Sequence, residues 1–264
     1  RGNQVSVSIE RVRDESPAAA DLLNFLAHVG PDAFPKEVLF AGAESLPEPL
    51  AATVRDPLSL DDAIALLRRY SLLDVADDAF SVHRLLQAIV RDALDAKSAE
   101  IWAAAAVEVV NDAVPSGILT DLNTWPMYSR LLPHGLAAAE HAERLEAAQE
   151  STGRLLNQIG LYLKVRADLS QARAVLERAL GAYETALGAE HPHVATTVNN
   201  LGSVLRALGD LPGARAHYER ALRIFETAYG ADHPNVATLV NNLGRVLHAL
   251  GDLPGARAHL ERAL

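Results

Sequence analysis

The chain of 264 residues has no cysteine, which excludes disulfides, thiolate metal sites and cysteine nucleophiles. Aromatics make up only 5% of it although 49% is hydrophobic, so Ala and Leu dominate the apolar count and favour helices over sheets. Positive charge is also scarce. The 24 Lys plus Arg stand against 34 Asp plus Glu, a formal net charge of −10. That balance argues against a general binder of nucleic acid or anionic membrane, since both need an excess of basic charge. No apolar run approaches the roughly 18 residues of a membrane span, and no secretion signal opens the chain. A cytoplasmic location is expected. The length suits one large or two modest domains.

What is present is a repeat. "LGDLPGARAH" occurs at 208–217 and again at 250–259, a spacing of 42 that also relates His191-Pro192 to His233-Pro234 and Asn199 to Asn241. A weaker copy lies upstream: Asn157, Gly160, Asp168, Ala172 and Ala179 precede Asn199, Gly202, Asp210, Ala214 and Ala221 by the same interval. Each copy reads as two helices. Val194, Val198, Leu201, Val204, Leu205 and Leu208 make a helical stripe. Pro192 suits a first turn, Gly209 a left-handed stop, and Asp210 the cap of the second helix. Small residues at Gly202, Ala214 and Ala221 let the two helices approach closely.

This pattern resembles the tetratricopeptide repeat, in the 42-residue form of kinesin light chains, as "VNNLG" at 198–202 and 240–244 illustrates. The first copy departs from it, with Ser170-Gln171 in place of the Leu-Pro-Gly turn. The resemblance implies an array over 151–264, about 2.7 copies, whose first helices line a groove for a protein or peptide. The groove-facing set would be Asn157, Thr196, Asn199, Ser203, Arg206, Thr238, Asn241, Arg245 and His248. An amide both donates and accepts, so an Asn row suits an extended peptide backbone, while Arg206 and Arg245 favour acidic partners. The alternative is that these Asn residues satisfy local backbone and neighbouring helices.

The N-terminal third has another character. Ser16 is expected to cap a helix that opens with Pro17 and stops at Gly30. A short helix follows Phe34, and a third is expected to be capped by Ser59 with Asp61 and Asp62 in its first turn. "SLLDV", "ADD" and "AFSV" read as strand, turn and strand, and a helix runs from His83 to about Leu94. The expected fold is therefore mainly α: a winged-helix domain over 16–96 with a small β-hairpin wing, an α-helical spacer over 97–150, and a tetratricopeptide superhelix. Trp102 and Trp125 read as core anchors of the spacer, with a helix broken near Pro133 and a structural role for His134. The spacer is expected to stack on the first repeat.

Winged helices often bind DNA. Residues 1–95, however, hold 9 basic and 16 acidic side chains, hence −7, and the helix that would enter a groove carries Asp61 and Asp62. Nucleic acid is an unlikely partner by this measure. "SPAAADLLNFLAHVGPDAFPKEVL", "LSLDDAIALLRRYSLLDV" and "FSVHRLLQAIVRDAL" instead resemble the winged-helix domain of bacterial NB-ARC proteins, signal-transduction NTPases of the STAND class. The resemblance makes residues 1–15 the end of the preceding region. It implies that His83 occupies the place of a histidine that reaches the β-phosphate of bound ADP and holds the protein closed. Arg84 replaces the family's Asp, so that residue's contacts do not carry over. No GxxxxGK[ST] occurs and no Gly precedes a Lys, so this chain holds no cofactor by itself. ADP or ATP with Mg would belong to a nucleotide-binding domain elsewhere in an intact parent that oligomerises on activation. The chain begins with Arg1 and stops inside a repeat unit, so it is expected to be a piece of a longer protein. One charge-assisted hydrogen bond contributes ~1.5–3 kcal/mol, whereas inverting a 1:99 equilibrium takes ~5.5 kcal/mol. His83 would need help from domain packing.

No catalytic constellation is present. His191 and His193 lack a carboxylate at ligand spacing and read as a helix start, "AEHAER" is not HExxH, and no nucleophile motif occurs. The chain is read as a regulatory and sensor module, not an enzyme; the alternatives are a repeat adaptor with a purely structural winged helix and a DNA-binding regulator.

Overall fold

The computed structural model describes residues 2–115, 117–118 and 121–262. They form two compact units, 1–155 and 156–264. The fold is mainly α with one small sheet, as expected.

The first unit opens with α1 (Gly2–Glu15) and α2 (Pro17–Leu26). Ser16 caps α2 by accepting the Ala19 N–H at 3.2 Å. The short strand β1 (Phe34–Pro35), α3 (Lys36–Ala41), α4 (Leu50–Arg55) and α5 (Pro57–Arg69) follow. The hairpin β2 (Asp74–Ala76) and β3 (Ala79–Ser81) then leads into α6 (Arg84–Asp92). Asp77 and Asp78 both take positive φ, 49° and 58°, the geometry of a two-residue turn matched to strand twist. Leu22, Leu23, Phe25, Leu39, Leu50 and Leu60 are fully buried, and Phe25 meets Phe34 edge-on at 5.4 Å.

Several expectations need correction here. α5 begins two residues before Ser59 and is capped by Asp56, which accepts the Ser59 N–H at 3.2 Å. Pro57 suits the first helical position, so the cap falls on Asp56 and Ser59 lies inside the first turn. The helix α4 and the strand β1 were not expected; β1 pairs Phe34 with Phe80 and places Pro35 at a sheet edge, where a missing N–H is tolerated. α2 ends at Leu26, not at Gly30. Gly30 instead lies under His134, whose Nδ1 would be 2.8 Å from a Cβ placed there.

The spacer holds α7 (Ala96–Ala113) and α8 (Trp125–Arg144), which pack on each other. α8 runs unbroken through Pro133; burial of Tyr128, Leu131, Ala138 and Ala142 offsets the backbone bond lost at the proline. Trp102 is 5% exposed and anchors the core, but Trp125 is half-buried. Tyr128 takes the anchoring place, with its hydroxyl donating to Pro115 O at 2.9 Å.

Three histidines are buried in this unit. His28 faces His141 edge-on at 5.5 Å, and His134 faces Phe34 at 5.1 Å. Arg144 donates to His141 Nδ1 at 2.9 Å, which requires an uncharged ring. Burial pushes His28 and His134 down to about 4 and His141 to about 3, the charges of Arg91 and Arg144 lowering His28 and His141 further.

α9 (Gln149–Val165) carries the division between the units. The second unit continues with α10 (Leu169–Leu187), α11 (Pro192–Ala207), α12 (Leu211–Tyr229), α13 (Pro234–Ala249) and α14 (Leu253–Arg262). Asp168, Asp210 and Asp252 cap the second helix of each copy, accepting from Gln171, Gly213 and Gly255. The turn before each cap is left-handed: Gly209 and Gly251 have φ of 86° and 84°, while the first copy holds Ala167 at 62°. Gly160, Gly202 and Gly244 face Leu176, Tyr218 and Leu260, with a virtual Cβ at 2.6, 2.9 and 2.9 Å from the facing side chain.

Two outcomes follow from these contacts. In Gly202→Ala the added methyl meets the buried Tyr218 ring, so equilibrium denaturation is expected to register a net loss, overpacking of ~1–3 kcal/mol outweighing a helix-propensity gain of up to ~1 kcal/mol. Gly181→Ala, where nothing lies within 4 Å of the new atom, is expected to gain stability instead. For the buried histidines, the folded state holds neutral rings while the unfolded chain takes up protons from about pH 6.5. Their contribution is complete above that pH and is lost as pH falls toward about 4, by roughly 2 kcal/mol per ring at pH 5. Urea denaturation at pH 7, 6 and 5 checks it.

Candidate functional site

His83 follows β3 directly. Val82 is buried and its N–H donates to Pro31 O at 2.9 Å, which ends the strand. The His83 backbone is extended, φ −55° and ψ 135°, and its Nδ1 accepts the Leu85 N–H at 3.2 Å, so the ring is the N-cap of α6. An Nδ1 that accepts a backbone N–H carries no proton, which places the neutral ring's proton on Nε2. The ring is exposed, as are Arg84 and Leu85, the latter 64% accessible.

The first turn of α6 is held from behind by Gln87. Its side-chain amide donates to Leu26 O at 2.7 Å and Val29 O at 3.0 Å, satisfying carbonyls at and just beyond the end of α2. Arg91 donates to Ala27 O in the same region. The signal in the sequence was a Gln at the inward position between Leu86 and Val90, where an apolar residue would be the default.

In the repeat unit, Thr196, Asn199, Ser203 and Arg206 share one face of α11, and Thr238, Asn241, Arg245 and His248 share the same face of α13. The Thr196 and Thr238 hydroxyls donate to Pro192 O and Pro234 O within their own helices, at 3.2 and 3.0 Å. The asparagines have a further role. Asn200 donates its amide to Asn157 Oδ1 at 3.0 Å, and Asn242 donates to Asn199 Oδ1 at 3.2 Å. The Asn199-Asn200 pair thus accepts with its first member and donates with its second, and the two bonds tie α11 to α9 and α13 to α11. Asn241, by contrast, is exposed.

Lys164, Arg206 and His248 occupy equivalent places in the three copies. Burial, and then the like charge of Arg206, hold the Lys164 ammonium below the usual lysine range. Arg245 lies exposed one turn from His248. His191 and His233 are spent as N-caps, accepting from His193 and Asn235 at 3.2 Å. Among the described residues no group of three or more His, Asp or Glu is placed to hold a metal ion. No described helix is long and apolar enough to cross a membrane.

Comparison with known proteins agrees with the repeat geometry. The tetratricopeptide repeat family matches residues 151–227 and 193–264, and a domain of unknown function (DUF7779) matches residues 11–99. No curated protein matches the chain. Among solved structures, BtubC (BKLC) from P. vanneervenii is similar at 18% identity and a TM-score of 0.50, over 86% of this chain and 89% of that one. A putative kinesin light chain from Podospora anserina shares 16% identity over 86% of this chain and 94% of its own, at a TM-score of 0.48. A STAND protein with a tetratricopeptide repeat sensor from Pyrococcus horikoshii shares 12% identity over 96% of this chain and 51% of its own, at a TM-score of 0.27. Residues 151–264 match the tetratricopeptide repeat, in agreement with the paired helices that they form.

Proposed function

We propose that the chain is the regulatory and sensor part of a signal-transduction ATPase of the STAND class. The first-helix face of the repeats takes a protein or peptide inducer, and residues 16–96 act as a winged helix that holds a nucleotide-binding domain of the same protein in its ADP-bound state. The observation that carries the reading is the state of His83. An exposed imidazole, with Nε2 as its donor and the apolar Leu85 exposed beside it, is suited to meet a phosphate and a docked surface together. The basic side chains of Lys164 and Arg206, at equivalent places in consecutive repeats, favour an inducer with acidic character. Engagement of the repeats would release the clamp, with nucleotide exchange and oligomerisation of the protein to follow.

A second reading is favoured by the same histidine: its Nδ1 already caps α6, which is role enough for a structural residue in an interaction adaptor. The two separate by substitution in the protein that joins this chain to its nucleotide-binding domain. Ser is a good N-cap but too short to reach beyond it. His83→Ser is expected to speed ADP release about 10- to 100-fold while leaving thermal stability in place. ADP release unchanged in His83→Ser leaves the adaptor.

A further inference from the structure

Four basic side chains of the first unit meet with no carboxylate closing on them. Arg91 of α6 donates to Ala27 O, the carbonyl next to His28. His28 faces His141 of α8 edge-on at 5.5 Å, and Arg144 donates to His141 Nδ1 at 2.9 Å. The contacts thus run in one line: arginine, histidine, histidine, arginine. The two rings are 1% and 9% accessible, while Arg91 is half-buried and Arg144 is exposed. Arg55, Arg69 and Arg130 of the same unit each meet a glutamate. Among the described residues, Arg91 and Arg144 meet a carbonyl and an imidazole instead. Asp92 and Glu140 favour the charge of Arg91 from a distance, but both are exposed and neither forms an ion pair with it. Asp21, two turns before His28, is held by the Asn24 amide at 3.5 Å.

We propose that this cluster is a binding site for a phosphate-class dianion, held by Arg91 and Arg144, with the His28–His141 pair taking up a proton as the anion binds. A guanidinium presents paired donors that match the oxygens of such an anion. The two rings are prepared differently. His28 Nδ1 lies 2.9 Å from Asn24 O, which only accepts, so the ring's proton sits there and Nε2 keeps a lone pair. His141 accepts from Arg144 at Nδ1, so its proton sits on Nε2. One ring is therefore a donor at Nε2 and the other a base. Arg91 and Arg144 disfavour a second proton on either ring, and Arg144 disfavours the charge of Arg91. A dianion reverses that field, so it relieves the arginines and makes protonation of His28 Nε2 favourable together. A single negative charge would offset only one of the two guanidiniums. The site lies apart from both His83 and the repeat face and does not rest on the reading given above.

Isothermal titration of the whole chain with sodium sulfate, a dianion throughout the range, tests this at pH 7.5 and pH 6. Saturable binding at one site is expected, about threefold tighter at the lower pH because a proton accompanies the anion. Arg144→Gln, at an exposed position, is expected to weaken it about tenfold with no fall in melting temperature. Arg206→Gln, in the repeats, is expected to leave it unchanged. Inorganic phosphate and glycerol 3-phosphate, titrated side by side, then distinguish the source. Tighter binding of the free ion assigns phosphate itself, and tighter binding of the ester assigns a small phosphorylated molecule. Absence of saturable binding, equal binding by Arg144→Gln, or the same affinity at both pH values overturns the proposal. Loss of binding in Arg206→Gln moves the anion to the repeats and overturns it as well.

Discussion

Gly160, Gly202 and Gly244 each lie against a large apolar side chain sixteen positions further on, namely Leu176, Tyr218 and Leu260. Without a Cβ on the first helix, the second helix can seat a whole ring or isobutyl group against its backbone. That close approach sets the distance between the two helices, and the distance places the asparagines of consecutive first helices within hydrogen-bond reach. A wider pair would carry Asn200 away from Asn157 and Asn242 away from Asn199. The face that α11 and α13 present is therefore a consequence of packing on their opposite side. The inter-repeat ion pair of Arg220 with Glu184, at 2.6 Å, adds little to this, since partly exposed pairs contribute at most about 1 kcal/mol.

Local chemistry made much of this legible. Ser16 and Asp210 cap the helices that their positions foretold, Gly209 is left-handed, and the hairpin turns on Asp77-Asp78. Apart from the local cap of α5 by Asp56, several misses share a physical cause: they depended on a partner distant in the chain. A two-residue strand at Phe34–Pro35 has no periodicity to detect and exists because β3 offers it an edge. Pro133 stays inside α8 because tertiary burial outweighs one lost backbone bond. The asparagine ladder joins residues 43 positions apart, so a reading confined to one repeat saw only a polar row. For His83 the junction was visible, and its use of Nδ1 to cap α6 became apparent only from the backbone.

The two units solve the problem of polar groups in opposite ways. The first buries His28, His134 and His141 uncharged, with burial itself keeping protons away. The second pairs asparagines in series along the array, as Asn200 with Asn157 and Asn242 with Asn199. Gln87 belongs to the first strategy: a buried amide saturated by two carbonyls fixes the start of α6 while leaving His83 outside.

Because the bonds between consecutive first helices run from Asn200 to Asn157 and from Asn242 to Asn199, always toward the earlier repeat, the contact between repeats has a direction. One end of a unit offers what the other end needs, and the two ends are not interchangeable. An interface of that heterologous kind does not close on itself in pairs. A gene segment encoding one whole period can accordingly be duplicated or lost without rewriting the junctions around it, whereas a gain or loss of any other length would misalign donor and acceptor. The identity of "LGDLPGARAH" in its two occurrences, one whole period apart, is consistent with that rule.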